Sequence, residues 1–67
     1  MARAIQVGTK LRKADAPGFV IEVVSLVTPA DGPPHARARV KVSGHDLGIR
    51  LYALSALEDT KLFVPVT

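Results

Sequence analysis

Gly48-Ile49-Arg50-Leu51-Tyr52-Ala53-Leu54-Ser55-Ala56-Leu57-Glu58 decides the architecture of this 67-residue chain. Its first half alternates as a strand does, and its second half has the composition of one helical turn. The alternation predicts a strand over residues 47–52 with Ile49 and Leu51 in a core and Arg50 and Tyr52 facing outward. Residues 53–57 are too few for an independent α-helix and suit a single 3₁₀ turn. A guanidinium beside a phenol on an exposed sheet face is a candidate binding surface.

Working outward, the neighbouring segments extend the same pattern. Residues 36–42 alternate cleanly, with Ala36, Ala38, Val40 and Val42 on one face and Arg37, Arg39 and Lys41 on the other. The second face is a three-cation stripe stepping about 7 Å per cation along a strand. Ser43-Gly44-His45-Asp46 reads as the turn joining these two strands. On the N-terminal side, Thr28-Pro29-Ala30-Asp31-Gly32-Pro33-Pro34-His35 holds three prolines and a glycine, which predicts a loop.

Residues 19–27 are rich in β-branched side chains, with Phe19, Ile21, Val23 and Ser25 on one face and Val20, Glu22, Val24 and Leu26 on the other. Both faces are largely apolar. That surplus predicts either a contact with another subunit through Val20 and Val24 or a bent strand feeding one core from both sides. Residues 7–13 read as a half-buried first strand, followed by a turn at Ala14-Asp15-Ala16-Pro17-Gly18. Residues 61–66 supply a last strand, with Pro65 tolerable only near an edge or an end.

Five short strands and no long helix predict an all-β fold. At this length the expectation is a five-stranded SH3-like barrel with one short 3₁₀ turn before the last strand. The chain is read as one domain over residues 1–67, with residues 1–5 a flexible N-terminus. Its expected core is Val7, Leu11, Ile21, Val23, Val40, Val42, Ile49, Leu51, Leu57 and Phe63.

Composition bounds the function classes. A chain this small buries only about 60% of the surface exposed by its unfolded state, so stability is expected to be marginal without further support. Cysteine is absent, which removes disulfides and thiolate metal sites and leaves oligomerisation as the common remedy. No apolar run reaches the roughly 18 residues of a membrane span, and residues 1–6 lack the pattern of a secretion signal. The reading is a cytoplasmic protein with no membrane partner. A net charge of +3 fits anionic partners, nucleic acid among them.

Catalytic constellations are nearly missing from the sequence. It contains no Gly-rich phosphate loop, no His or Cys spacing for a metal, and no serine with an evident base. His35 and His45 occupy separate loops, where histidines are usually solvated. The stripe of Arg37, Arg39 and Lys41 is the candidate contact for a nucleic-acid backbone. Tyr52 is the one aromatic not assigned to the core, so stacking platforms for single strands are scarce.

The chain resembles the plasmid- and integron-borne type II dihydrofolate reductases over about fifty residues. Gly8-Thr9-Lys10-Leu11-Arg12-Lys13 is similar to that family's opening Gly-Asp-Arg-Val-Arg-Lys. Residues 45–58 align without gaps to a family segment that begins with histidine, runs through Val-Gln-Ile-Tyr and ends in Ala-Leu-Glu. His45, Tyr52, Ala56, Leu57 and Glu58 match identically, Ile49 and Leu51 conservatively, and Thr28-Pro29 is similar to the family's loop.

The resemblance implies four barrels around a central pore in which NADPH and dihydrofolate stack, with no side chain acting as general acid. It places Ile49, Arg50, Leu51 and Tyr52 along the pore, gives Lys13 the role of attracting anionic groups, and puts His45 at a subunit interface. One departure bears on activity, because the family's pore glutamine is Arg50 here. Two guanidiniums about 8 Å apart repel by roughly 2 kcal/mol at an effective dielectric near 20. Arginine also cannot accept a hydrogen bond as glutamine does.

The leading expectation is therefore a non-catalytic, oligomeric binding module, dimer or tetramer. Its basic surface of Lys13, Arg50 and Tyr52, with Ile49 and Leu51, holds an anionic small molecule or protein partner, and the sequence assigns no catalytic residue and no metal. The alternative is an NADPH-dependent reductase of the type II kind, and the second alternative is nucleic-acid backbone binding. Whether the chain is an enzyme stays open at this point.

Overall fold

The computed structural model describes residues 5–66. Their backbone forms β1 (Lys10–Lys13), β2 (Ala16–Val27), β3 (His35–Val42), β4 (His45–Ala53), one helical turn α1 (Leu54–Glu58) and β5 (Phe63–Pro65). The five strands join antiparallel in a single sheet of order β4-β3-β2-β1-β5. The fold is all-β, and no helix among the described residues is long and apolar enough to cross a membrane.

The expected barrel closure is not observed. β4 and β5 lie at opposite ends of the sheet order, so two edges remain open. Pro65 sits in edge strand β5, where its missing N–H costs no ladder bond. The turn before that strand is α-helical rather than 3₁₀, with Leu57 as its single buried residue. The Leu54 N–H donates to the Pro34 carbonyl at 3.1 Å, tying α1 to the proline-rich loop.

Local sequence explains the connections. Val42 pairs with His45, so Ser43 and Gly44 alone form the β3–β4 turn. Their φ values of 51° and 85° are the left-handed geometry that matches strand twist in a two-residue hairpin. In the β1–β2 connection, Ala14 and Asp15 suffice. β2 already begins at Ala16, so Pro17 and Gly18 belong to the strand and not to the expected turn.

One face of the sheet, called inner here, carries the core. Leu11, Ile21, Val23, Ala36, Ala38, Val40, Leu57 and Phe63 are buried there together with Ile5. Full burial of a side chain such as Leu57 stabilises by about 1.5–3 kcal/mol. Ile5 belongs to the stretch expected to be a flexible terminus, yet it packs in the core. Residues 1–4 of that stretch lie outside the described residues.

Three expected core residues are placed differently. Val7 is 63% exposed because it lies in a turn ahead of β1, where Gly8 takes a φ of 93°. Val42 is half-buried and packs against the core as expected, whereas Ile49 and Leu51 are 43% and 60% exposed. Directly paired residues share a face, so the register of β4 shows why. Arg50 lies opposite Ala38 and Tyr52 opposite Ala36, both buried, whereas Ile49 and Leu51 lie opposite the exposed Arg39 and Arg37. Arg50 and Tyr52 thus sit on the inner face, and Ile49 and Leu51 on the outer, the reverse of the expectation.

A second irregularity reshapes β2. Val23 pairs with Ala38 and Ser25 with Arg37, which leaves Val24 as an extra, unpaired residue. The bulge inverts the facing downstream. Ser25 consequently leaves the core side and Leu26 joins it, opposite Ala36.

A cation-rimmed cleft as candidate functional site

The open β4 edge leaves a cleft of about 360 Å³ at the inner face, lined by Phe19, Val40, Leu47, Arg50, Leu51 and Tyr52. Its shape follows from a bulge. Val40 pairs with Gly48 but Lys41 pairs with Asp46, so Leu47 is the additional residue of β4. Gly48 adopts a φ of 88°, and a Cβ built on it meets nothing within 4 Å. Glycine is needed there for backbone conformation and not for space.

Asp46 holds the bulge from the outside. Its Oδ1 accepts the Gly48 N–H at 2.7 Å and its Oδ2 accepts Arg39 Nη1 at 2.8 Å. The Gly48 N–H first, and then the Arg39 hydrogen bond, hold the Asp46 carboxyl below the usual aspartate range. The ion pair itself is surface-exposed, at 44% for each side chain, and solvent screening leaves it little weight in stability. Its value is geometric: it fixes where β4 turns its side chains.

Aromatic groups build the cleft walls. The Tyr52 ring meets Phe63 edge-to-face, with centroids 6.0 Å apart and an interplanar angle of 81°. Partial burial pushes the Tyr52 phenol above its ordinary value, against a smaller opposing pull from the Arg50 charge. On the other side, Lys13 Nζ stands 5.6 Å from the centre of the Phe19 ring, within cation–π range. Lys13 reaches this position because β1 pairs it with Phe63 on the core side.

Arg50 and Tyr52 line the cleft from the inner face, Leu51 borders it from β4 although its register sets it with Ile49 on the outer face, and Lys13 adjoins it only through the Phe19 ring. Arg50 forms no ion pair among the described residues. Phe19, Val40 and Leu47 line the cleft without having been singled out for it. Phe19 and Val40 read as core from their alternation, and Leu47 carried no signal because the bulge that turns it inward has no mark except Gly48.

The candidate interface residues are dispersed. His45 is exposed at the start of β4, opposite Val42. Val20 is half-buried between Arg12 and Lys41, and Val24 is exposed at the β2 bulge. Arg37, Arg39 and Lys41 are exposed on the outer face as their alternation predicts. No group of three or more metal-ligating side chains occurs among the described residues. The chain matches no protein-family model, no curated protein and no solved structure.

Proposed function

We propose that this chain is a non-catalytic binding module whose inner-face cleft takes a small anionic ligand with an apolar or aromatic body. The arrangement that carries the reading is Arg50 lining a cleft walled by Phe19, Val40, Leu47 and Tyr52, with Lys13 standing over the Phe19 ring. Ligand sites combine mostly apolar walls with a few directed polar groups, at volumes from roughly 300 Å³ upward. Here the guanidinium supplies a fixed fork for a carboxylate or sulfonate, while the ammonium on Phe19 adds a second positive charge. The order β4-β3-β2-β1-β5, with a helical turn before the last strand, supports describing the module as an opened SH3-like barrel.

Self-association belongs to the same proposal. Leu47, Ile49 and Leu51 are exposed along the unpaired edge of β4, and burying them on a second copy removes apolar surface from water. Sedimentation at micromolar to millimolar concentration tests this. A strict monomer throughout ends the oligomer reading.

Tyr52 is the chain's sole tyrosine and tryptophan is absent, so intrinsic fluorescence reports directly on the cleft. Anilinonaphthalene sulfonate, an aromatic body with one negative charge, serves as the probe. Saturable 1:1 binding should quench Tyr52, and Arg50→Glu, with its fold checked by circular dichroism, should weaken binding at least tenfold. Equal affinity in both proteins overturns the proposal.

The residues matching the family's Gln-Ile-Tyr, Arg50, Leu51 and Tyr52, line the cleft, and this favours the reductase as a second reading. NADPH with dihydrofolate exceeds a cleft of about 360 Å³, so that reading requires several copies to pool their clefts. Oxidation of NADPH by dihydrofolate at high protein concentration, in the native protein and in Arg50→Gln, tests it. Silence of both removes the reductase and leaves the binding module intact.

A further inference from the structure

The cations of the outer face form a field, not a stripe. Strand register sets Arg12, Val20, Lys41 and Asp46 in one row across the sheet, and Lys10, Glu22, Arg39 and Ile49 in the next. Arg37 follows in a third row, between Ser25 and Leu51. Among the described residues, five cations thus share this face with two carboxylates, and of the five only Arg39 is in an ion pair. Neighbouring strands lie about 4.8 Å apart and alternate residues about 7 Å, so the field covers roughly 10 by 14 Å.

Two further features bear on what fits it. Between the rows lies a shallow depression of about 120 Å³, lined by Lys10, Val20, Ile21, Glu22, Arg39 and Lys41. All three aromatics of the chain are elsewhere: Phe19 and Tyr52 line the inner cleft, and Phe63 packs against Tyr52. A face with many cations and no ring offers contacts to phosphates and none to stacked bases.

We infer that the outer face docks on the phosphate backbone of double-helical nucleic acid without reading its sequence. Charge complementarity commits the face to a polyanion, and the lack of aromatic side chains selects duplex over single strands. The five cations are spread over three strands, so they match a partner whose charges are also arrayed in two dimensions, as on the two backbones flanking a groove. Glu22, between Lys10 and Arg39, opposes the contact from within the field.

Anisotropy of a fluorescein-labelled 20-base-pair DNA duplex measures the contact. With three to four phosphates engaged, raising salt from 50 to 200 mM should weaken binding about 100-fold. The double variant Lys10→Gln/Lys41→Gln should flatten the plot of log affinity against log salt by about 1.8, whereas Lys61→Gln, in the turn before β5, leaves the plot unchanged. Glu22→Gln should tighten binding about threefold, a gain that misfolding does not mimic. No duplex binding up to about 100 μM protein at 50 mM salt overturns the inference. So does an unaltered salt plot in the double variant, tighter binding to a single strand of equal charge, or binding to polyglutamate in place of DNA.

Discussion

The two faces of the sheet are made from the same strands and share almost nothing in chemistry. The inner face holds every aromatic ring, the packed core and a cleft lined by Arg50, with Lys13 over the Phe19 ring beside it. The outer face holds five cations and two carboxylates around a shallow depression. A single sheet therefore keeps two sets of side chains, one apolar and aromatic and one mainly cationic, apart by the thickness of one backbone. The alternation of β3 alone, Ala36, Ala38 and Val40 inward and Arg37, Arg39 and Lys41 outward, is enough to separate them.

The largest expected effect comes from damaging what both faces stand on. Leu57→Ala removes the single buried side chain of α1 and should cost about 2–5 kcal/mol, a large share of the stability of a domain this size. Urea denaturation reads this as a lower midpoint. A midpoint within error of the native protein's would show that α1 does not support the sheet.

Gly48→Ala should act on the inner face more than the outer. At a φ of 88° the new Cβ meets no neighbour, so the cost is backbone strain of roughly 1–2 kcal/mol, and relief of that strain re-aims Arg50. Affinity for the sulfonate probe should fall while duplex binding changes little. Equal losses at both sites would mean that the bulge does not separate them.

Tyr52→Phe sharpens the comparison through pH. The folded-state phenol is raised by burial, so its contribution is fully present below the ordinary tyrosine value and is lost as pH rises through the raised one. The native protein should lose stability on that alkaline limb, and the variant should not. Identical alkaline profiles would remove Tyr52 from the partly buried position described.

Asp46→Asn is the mildest test and works from the outer side. The folded carboxyl is lowered by the Gly48 N–H and by Arg39, so its contribution is present above the ordinary aspartate value and lost as pH falls through the lowered one. Thermal midpoints measured in acid should decline less in the variant than in the native protein. Asparagine retains an acceptor for Gly48, so the probe affinity of the cleft should persist at neutral pH.

How far the sequence led differs strand by strand, for physical reasons. β3 was legible from Ala36 to Val42 because a central strand has neighbours on both sides and each side chain has one sensible face, while His35, read as loop, opens the strand. β4 misled: hydrophobicity assigned Ile49 and Leu51 to the core, but an edge strand exposes both of its faces, and Tyr52 is amphipathic enough to pack on Phe63. The β2 bulge at Val24 is invisible in a run of β-branched residues with no glycine to mark it. Arg50 and Tyr52 were legible as neighbours on one face of β4 even though the side of the sheet they take was not, because alternation fixes relative facing alone. The open edges were not legible, since alternation reports faces and says nothing of closure.

The pairing of β1 with β5 brings Arg12 beside Val64, fifty-two positions later in the chain. It is the contact with the greatest loop-closure entropy to overcome, and it is made by a strand of only three residues. Joining the two ends by a short linker and reopening the chain in the proline-rich loop, residues 28–34, would turn that slow, distant encounter into a local hairpin. Such a circular permutant should refold faster than its parent while keeping both surfaces in place.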